Sequence, residues 1–223
     1  MSYTIYTEST PNPLKVLIML EELGAPYKSV KVDLGNEDQK APGFLKLNPN
    51  GRIPVLVDHD ADDFVIIESG AILQYLAEKH GVFQPTDAKG KSEVNQWLMW
   101  QMGGLGPMFG QLLVFAAAFE DKIPEATARY DKEVKRLLSV MNARLEGREY
   151  LANDYSIADI ASIAWMPPTQ RLGWDLADWP HVKAWFERCI SRPAFTKAVE
   201  ALGTIPEDIR MRNFRKATVG LGS

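Results

Sequence analysis

Cysteine is nearly absent from this chain of 223 residues, and long apolar runs are missing altogether. The single cysteine, Cys189, excludes an intramolecular disulfide and favours a reducing compartment. No apolar run reaches the roughly 18 residues of a membrane span, and the N-terminus lacks the charged-then-apolar pattern of a signal peptide. We therefore expect a soluble, cytoplasmic protein with no membrane partner.

An excess of positive charge is missing too. The chain has 25 Lys and Arg against 29 Asp and Glu, so its net charge is −4 and nucleic acid is a poor partner. Its histidines, His59, His80 and His181, have no metal-ligand spacing. The acidic stretch 58–63 begins like a calcium loop but lacks the turn glycine and the bidentate glutamate. The sequence therefore predicts no metal.

The first part of the chain alternates between strand-like and helix-like patterns, in the order β-α-β-α-β-β-α. Alternation at Val30–Leu34 predicts one strand, and two more flank the turn-rich stretch 58–63 as a hairpin. Asn12 and Pro13 are expected to open the first helix as N-cap and first helical residue, and Gly24 to close it.

Strand signals stop after a linker at residues 81–90. Residues 92–118 and 125–145 have helical periodicity, and nothing beyond them alternates like a strand. The sequence therefore predicts α/β plus all-α architecture: a small α/β domain at 1–81, followed by an all-helical domain at 91–223.

Two segments of the first domain begin helices and could bind anions. Hydroxyl and amide donors precede the first helix in Ser9-Thr10-Pro11-Asn12, where a helix N-terminus attracts negative charge. Glu68 and Ser69 begin another helix, and a carboxylate site beside an ammonium partner suits an α-amino acid head group. Plain helix capping by Asn12 and by Ser69 fits each segment equally well.

A third segment joins a turn to a strand at Ile53–Pro54. A cis bond before Pro54 would leave the main chain of Ile53 to pair with an extended, peptide-like ligand. A trans proline in a turn fits the same residues.

These three segments in this order, on this architecture, resemble a cytosolic glutathione transferase over essentially the whole chain. Thr10-Pro11-Asn12, Asn48-Pro49-Asn50 and the unusual segment Trp97–Pro107 are similar to the nu class, which includes glutathione-dependent disulfide-bond oxidoreductases. The resemblance implies a thioredoxin-like N-terminal domain, the glutathione transferase fold and a homodimer. It also implies glutathione as co-substrate, without a metal.

The resemblance implies that Thr10 and Asn12 are catalytic and face the glutathione sulfur. It assigns glutathione binding to Thr10, Asn12, Gln39, Ile53, Pro54, Glu68, Ser69 and Arg129. Glu68 and Ser69 would take the γ-glutamyl end. Arg129 would reach the glutathione carboxylate, although its spacing fits an i,i+4 ion pair with Glu133 equally well.

The function implied is reduction of small disulfides by glutathione, with reduction of organic hydroperoxides beside it. The alternatives are conjugation of glutathione to electrophiles and a regulatory role as a glutathione-binding protein. Pro13 stands where related members usually have glycine, which removes an N–H near the sulfur. Cys189 lies on an apolar helical face, so we expect it to be buried and inert. The second substrate and the role of the basic tail at 210–216 stay open.

Overall fold

The computed structural model describes residues 2–167, 169, 172–203 and 212–216. Two compact units emerge: one comprises the described residues of Met1–Leu76 and of Ala194–Ser223, and the other is Ala77–Pro193. The division falls inside a helix. The domain limits expected at residues 81 and 91 stay a prediction.

The first unit contains a four-stranded sheet in the order β2-β1-β3-β4, in which β1 is parallel to β2 and antiparallel to β3, and β3 is antiparallel to β4. This confirms the predicted element order and the thioredoxin-like domain. The elements are β1 (Tyr3–Thr7), α1 (Pro11–Leu23), β2 (Tyr27–Lys31), α2 (Pro42–Leu47), β3 (Val55–Asp58), β4 (Phe64–Ile67) and α3 (Ser69–His80).

The strand registers bring four chain segments to one edge of this sheet. Thr7, the last residue of β1, pairs with Lys31, the last residue of β2. Tyr6 pairs with Val55, the first residue of β3, and Val55 pairs with Ile67, the last residue of β4. The chain therefore enters or leaves all four strands at this end of the sheet, which we call the shared sheet edge.

The first helix begins two residues earlier than the sequence predicts. Thr10, not Asn12, is the N-cap, because it is extended (φ −135°, ψ 161°) and its carbonyl accepts from Leu14 N. Pro11 then takes the first helical position, and Pro13 also fits because the first-turn N–H groups need no helical acceptor. The helix end is confirmed: Gly24 is the C-cap, at φ 59°.

The second strand is displaced toward the N-terminus. β2 ends at Lys31, and the expected Val30–Leu34 strand continues only as far as the bond from Val32 N to Thr7 O. The Asp33 carboxylate then accepts from Gly35 N and Asn36 N, which turns Leu34–Asn36 into a 3₁₀ helix. A local side-chain cap has overridden the alternating pattern.

After α3, every regular element that the structure describes is helical, as predicted. The bounds are α4 (Ala88–Trp100), α5 (Gly106–Leu113), α6 (Pro124–Arg144), α7 (Ile157–Ile163), α8 (Pro180–Ile190) and α9 (Pro193–Leu202). The capping box of Ser156 and Asp159 is present at the start of α7. Cys189 is buried in α8, as expected. Within the described ranges, no helix combines the length and apolar character that a membrane crossing needs.

A π-helical turn at Gln101–Leu105 joins α4 to α5. The helix widens over this turn, which contains Gly103 and Gly104. A Cβ on Gly106 would lie 2.6 Å from Gln101 Nε2 and 3.1 Å from Trp165 Nε1. Glycine is therefore needed here for close packing rather than for a positive φ.

The described part of the basic tail, residues 212–216, belongs to the first unit. Residues 212–216 are helical, and Lys216 Nζ donates to the carbonyl of Gly35 at 2.7 Å. Arg210, which belongs to the same predicted basic tail, lies outside the described residues.

Candidate active site

Two hydroxyl groups follow β1 at the shared sheet edge, and their surroundings differ. The Ser9 hydroxyl donates to Gly203 O at 3.3 Å, and Ser9 N donates to Glu8 Oε1 at 2.9 Å. Thr10, by contrast, makes no side-chain capping bond to its helix. Thr10 therefore carries the hydroxyl that is suited to a ligand.

The start of α1 has few donors because of its prolines. Pro11, Asn12 and Pro13 fill the first three helical positions, and of these only Asn12 has an N–H. An anion here would meet the Thr10 hydroxyl together with the side-chain and main-chain N–H of Asn12. Both residues are partly exposed, which leaves them accessible.

Gln39 is buried in the 3₁₀ turn Asp38–Lys40, with 6% of its surface exposed. Its Oε1 has no hydrogen-bond partner among the described residues. An unpaired buried oxygen costs about 1–3 kcal/mol, so this atom is prepared for a donor from a ligand or water. The turn is close to Gly51, where φ is +62° and a Cβ would lie 3.2 Å from Gln39 O.

The loop ahead of β3 is fixed by a buried asparagine. Asn48 Nδ2 donates to Arg52 O at 2.7 Å, and its Oδ1 accepts from Asn50 N at 3.0 Å. The Ile53–Pro54 bond is cis. Within the described part of the chain, the main-chain N–H and C=O of Ile53 bond to no other residue. The main chain of Ile53 is thus able to pair with an extended ligand.

Glu68 and Ser69 form the junction of β4 and α3. Glu68 adopts φ 68°, a left-handed conformation that is uncommon outside glycine and is concentrated at functional sites. Its carbonyl accepts from Ile72 N at 2.9 Å, so Glu68 holds the N-cap position and Ser69 is the first helical residue. Ser69 was expected as the N-cap. It is 3% exposed, whereas Glu68 is exposed.

Lys15 is a residue that the sequence reasoning did not select. It lies on α1 with 1% of its surface exposed, and its Nζ donates to Ser69 Oγ at 3.4 Å. Burial lowers the Lys15 pKa to about 7, and the negative charge of Glu68 opposes that shift. The signal was present: Lys15 is the one charge within the otherwise apolar Leu14–Leu20 stretch.

Arg129 belongs to the second unit and is exposed on α6. Glu133 forms its salt bridge with Arg136, whose hydrogen bond lowers the Glu133 pKa, and the charge of Arg129 adds to that effect. In that salt bridge, Nη2 lies 2.7 Å from Oε1 and Nε lies 2.9 Å from Oε2. The role of Arg129 toward glutathione stays a prediction, as do the roles of the other site residues.

Among the described residues, no group of three or more His, Cys, Asp or Glu side chains is placed to hold a metal ion.

Two protein-family descriptions match the chain. Residues 1–78 match "Glutathione S-transferase, N-terminal domain", and residues 106–193 match "Glutathione S-transferase, C-terminal domain".

Characterised relatives align with nearly the whole chain. The Escherichia coli protein Disulfide-bond oxidoreductase YfcG is 46% identical over 200 residues, which span 87% of this chain and 93% of the relative. A Burkholderia graminis glutathione transferase, solved with two glutathione molecules per subunit, is 41% identical with a TM-score of 0.84, and the match covers 92% and 90% of the two chains. A Pseudomonas putida glutathione transferase, solved with one glutathione disulfide per subunit, is 38% identical with a TM-score of 0.83, over 91% and 92% of the chains.

Proposed function

Because the chain belongs to the glutathione S-transferase family, we propose that it is a glutathione-dependent disulfide reductase. The observation that carries the proposal is the shared sheet edge, where Thr10–Asn12, Ile53–Pro54 and Glu68–Ser69 leave or enter neighbouring strands. Such an edge, outside the ends of strands and beside two helix starts, is where α/β sheets bind ligands. The disulfide oxidoreductase named among its relatives supports the choice of reaction.

Glutathione is a γ-glutamyl-cysteinyl-glycine peptide, and each of its groups has a proposed partner. Ile53 pairs with the peptide main chain, and the buried Gln39 oxygen accepts from a peptide N–H. Glu68 binds the ammonium group and Ser69 the carboxylate of the γ-glutamyl end. Arg129 is proposed for the remaining carboxylate on the family resemblance alone.

The cysteinyl sulfur then lies beside Thr10 and Asn12, which act as hydrogen-bond donors and not as bases. A thiol with a pKa near 8.5 is only a few per cent ionised at neutral pH. Lowering that pKa by about two units takes roughly 2.7 kcal/mol, which one or two hydrogen bonds to a charged acceptor supply. Pro13 limits the main-chain contribution, so the two side chains carry most of this stabilisation.

The reaction is thiol–disulfide exchange. The glutathione thiolate attacks one sulfur of the substrate disulfide, a mixed disulfide forms, and the other sulfur leaves as a thiolate that takes up a proton. A second glutathione thiolate attacks the glutathione sulfur of the mixed disulfide and releases the second substrate thiol. The substrate gains two electrons, and two glutathione molecules become one glutathione disulfide. An organic hydroperoxide would be reduced to an alcohol and water by the same pair.

The test is glutathione-dependent reduction of a small model disulfide by the parent chain and by Asn12→Ala. We expect turnover in the parent and a loss of at least about tenfold in the variant, because a hydrogen bond to a charged acceptor is lost. Asn153→Ala is the matched control, since Asn153 is exposed in the second unit. Absence of turnover in a correctly folded parent chain would contradict the proposal.

The same assay separates the alternatives. Turnover of an electrophile such as an aryl halide, without disulfide reduction, would indicate conjugation by the same thiolate. Tight glutathione binding with neither activity would indicate a regulatory binding protein.

We also propose a homodimer in the cytoplasm, on the family resemblance and on the single buried cysteine. Sedimentation at micromolar concentration should give twice the chain mass of 25.0 kDa. A monomer under those conditions would contradict the homodimer.

A further inference from the structure

The helical residues 212–216, which we call the tail helix, have no part in the proposed reaction but bond to the segment that carries Gln39. Lys216 Nζ donates to Gly35 O at 2.7 Å, and this bond joins residues 181 positions apart. Gly35 lies in the 3₁₀ helix Leu34–Asn36, directly before the turn that contains Gln39. The tail helix therefore bonds to the main chain close to a candidate ligand residue.

A second contact joins the tail helix to the same glycine. A Cβ on Gly35 would lie 2.7 Å from Asn213 Cγ and 2.9 Å from Asn213 Nδ2. Gly35 does not have a positive φ, so the neighbouring asparagine and not the backbone conformation requires a glycine here. The tail helix thus packs closely on this turn as well as bonding to it.

Hydrogen bonds connect Gly35 to the turn that contains Gln39. The Asp33 carboxylate accepts from Gly35 N at 2.9 Å and from Asn36 N at 3.2 Å. Asp33 N donates to Asp38 Oδ2 at 3.0 Å, and Asp38 N donates to Asp33 O at 3.1 Å. Asp38 begins the 3₁₀ turn in which Gln39 is the next residue. The position of Gln39 therefore depends on the whole 33–40 segment.

This segment has little apolar support of its own. Within the described stretch 33–43, Gln39 is the only residue that is buried, and it is polar. Leu34 packs against the neighbouring core but is only partly buried. Segments with few buried apolar contacts open locally at a low free-energy cost. External contacts such as those from the tail helix are then important for holding the segment in one conformation.

We propose that the tail helix positions the glutathione site: Lys216 and Asn213 hold the 33–40 segment so that Gln39 Oε1 can accept from a peptide N–H of glutathione. This inference rests on the proposed function, because it takes Gln39 as a glutathione-binding residue. The tail helix supplies no group to the reacting sulfurs. It should therefore affect the affinity for glutathione and leave the turnover number at saturating glutathione unchanged.

The first experiment measures binding of S-methylglutathione by calorimetry. Lys216→Met should bind about three- to fivefold more weakly than the parent, because one hydrogen bond that holds the segment is lost. Lys216→Arg keeps the charge and the donors, so its affinity should stay within about twofold of the parent. The matched control is Lys28→Met, which removes the same charge from an exposed position of β2 and should leave the affinity unchanged. The turnover number for disulfide reduction should agree within about twofold in all four proteins.

Double-mutant cycles distinguish positioning from a general loss of structure. In a Gln39→Met background, Lys216→Met should weaken binding by less than about 1.5-fold, because the residue that the tail helix positions is already removed. Gly35→Ala should weaken binding about threefold in the parent, since its Cβ must displace the Asn213 side chain. In an Asn213→Ala background, which lacks the atoms that this Cβ would meet, the effect of Gly35→Ala should fall below about 1.5-fold.

Amide hydrogen exchange reports on the 33–40 segment without any ligand. The amides of Gly35, Asn36 and Asp38 all bond to Asp33, and they should exchange several-fold faster in Lys216→Met than in the parent. Unchanged exchange would overturn the inference. Faster exchange with unaltered affinity for S-methylglutathione would overturn it too, as would an equal loss of affinity with and without Gln39.

The inference and the proposed function fail in different ways. A parent chain that binds no S-methylglutathione would contradict the proposed function and this inference together. A parent that binds it normally, beside a Lys216→Met variant of equal affinity, would overturn the inference alone.

Discussion

Trp185 donates its indole N–H to Asp159 Oδ1 at 2.9 Å, and neither side chain has any exposure to solvent. The same oxygen accepts from Leu151 N at 2.9 Å, and Oδ2 accepts from Ser156 N and Ser156 Oγ, both at 3.1 Å. One carboxylate thus connects the start of α7, the chain at Leu151 and helix α8.

The substitution Asp159→Asn should destabilise the protein. The asparagine side chain has only one acceptor oxygen. Its NH₂ group would therefore face the N–H and O–H donors that now bond to the second carboxylate oxygen. We expect a loss of about 2–4 kcal/mol in unfolding free energy, measured by urea denaturation. The control is Asp154→Asn, an exposed neighbour that should change stability by less than about 0.5 kcal/mol. An Asp159→Asn variant as stable as the parent would contradict this.

The contribution of Asp159 to stability should depend on pH. Burial raises its pKa from 3.8 to about 6, against four hydrogen bonds that favour the charged form. Between those pH values the folded chain holds a proton that the unfolded chain has released, so stability falls as the pH rises. The loss of stability in Asp159→Asn should therefore be larger at pH 4 than at pH 7, because only the parent gains from the bound proton at the lower pH. A gap independent of pH would be inconsistent with a raised pKa.

The element order of the first unit was predictable because strands and helices there have distinct hydrophobic periods and clear turn residues. The first and last residues of these elements were less predictable, because several possible capping residues lie within a few positions of one another. Thr10 takes the N-cap from Asn12 because Pro11 already suits the first helical position, and Asp33 ends β2 early by capping a 3₁₀ turn. Local hydrogen bonding decides such boundaries, and periodicity does not report it.

The chain segments that form the site were predictable from the sequence, but the buried contact between Lys15 and Ser69 was not. The resemblance suggested Thr10, Glu68 and Ser69, but the contact between Lys15 and Ser69 joins residues 54 positions apart. Helical periodicity indicates only that position 15 lies among buried residues, where a lysine is unusual. Which buried group it reaches depends on how α1 packs against α3, and that is a tertiary property.

Replacing Gln39 by methionine should separate ligand binding from stability. The two side chains have similar volumes, and Gln39 Oε1 has no partner among the described residues, so Met removes an unpaired buried oxygen. We expect an unchanged or higher melting temperature, with KM for glutathione raised about tenfold. Gln111→Met, on an exposed position of α5, should leave both quantities unchanged. An unaltered KM in Gln39→Met would remove Gln39 from the proposed site.

Cys189 should be dispensable for disulfide reduction. All four sulfurs of the proposed exchange come from the two glutathione molecules and the substrate disulfide, and Cys189 is 1% exposed in α8, where a disulfide substrate has no access. Cys189→Ala should keep turnover within about twofold and cost about 1 kcal/mol of stability through lost packing. The native thiol should also resist alkylation by iodoacetamide until urea unfolds the chain. Loss of turnover in a folded Cys189→Ala variant would mean that the protein contributes a sulfur of its own, and the exchange between two glutathione molecules would then be the wrong mechanism.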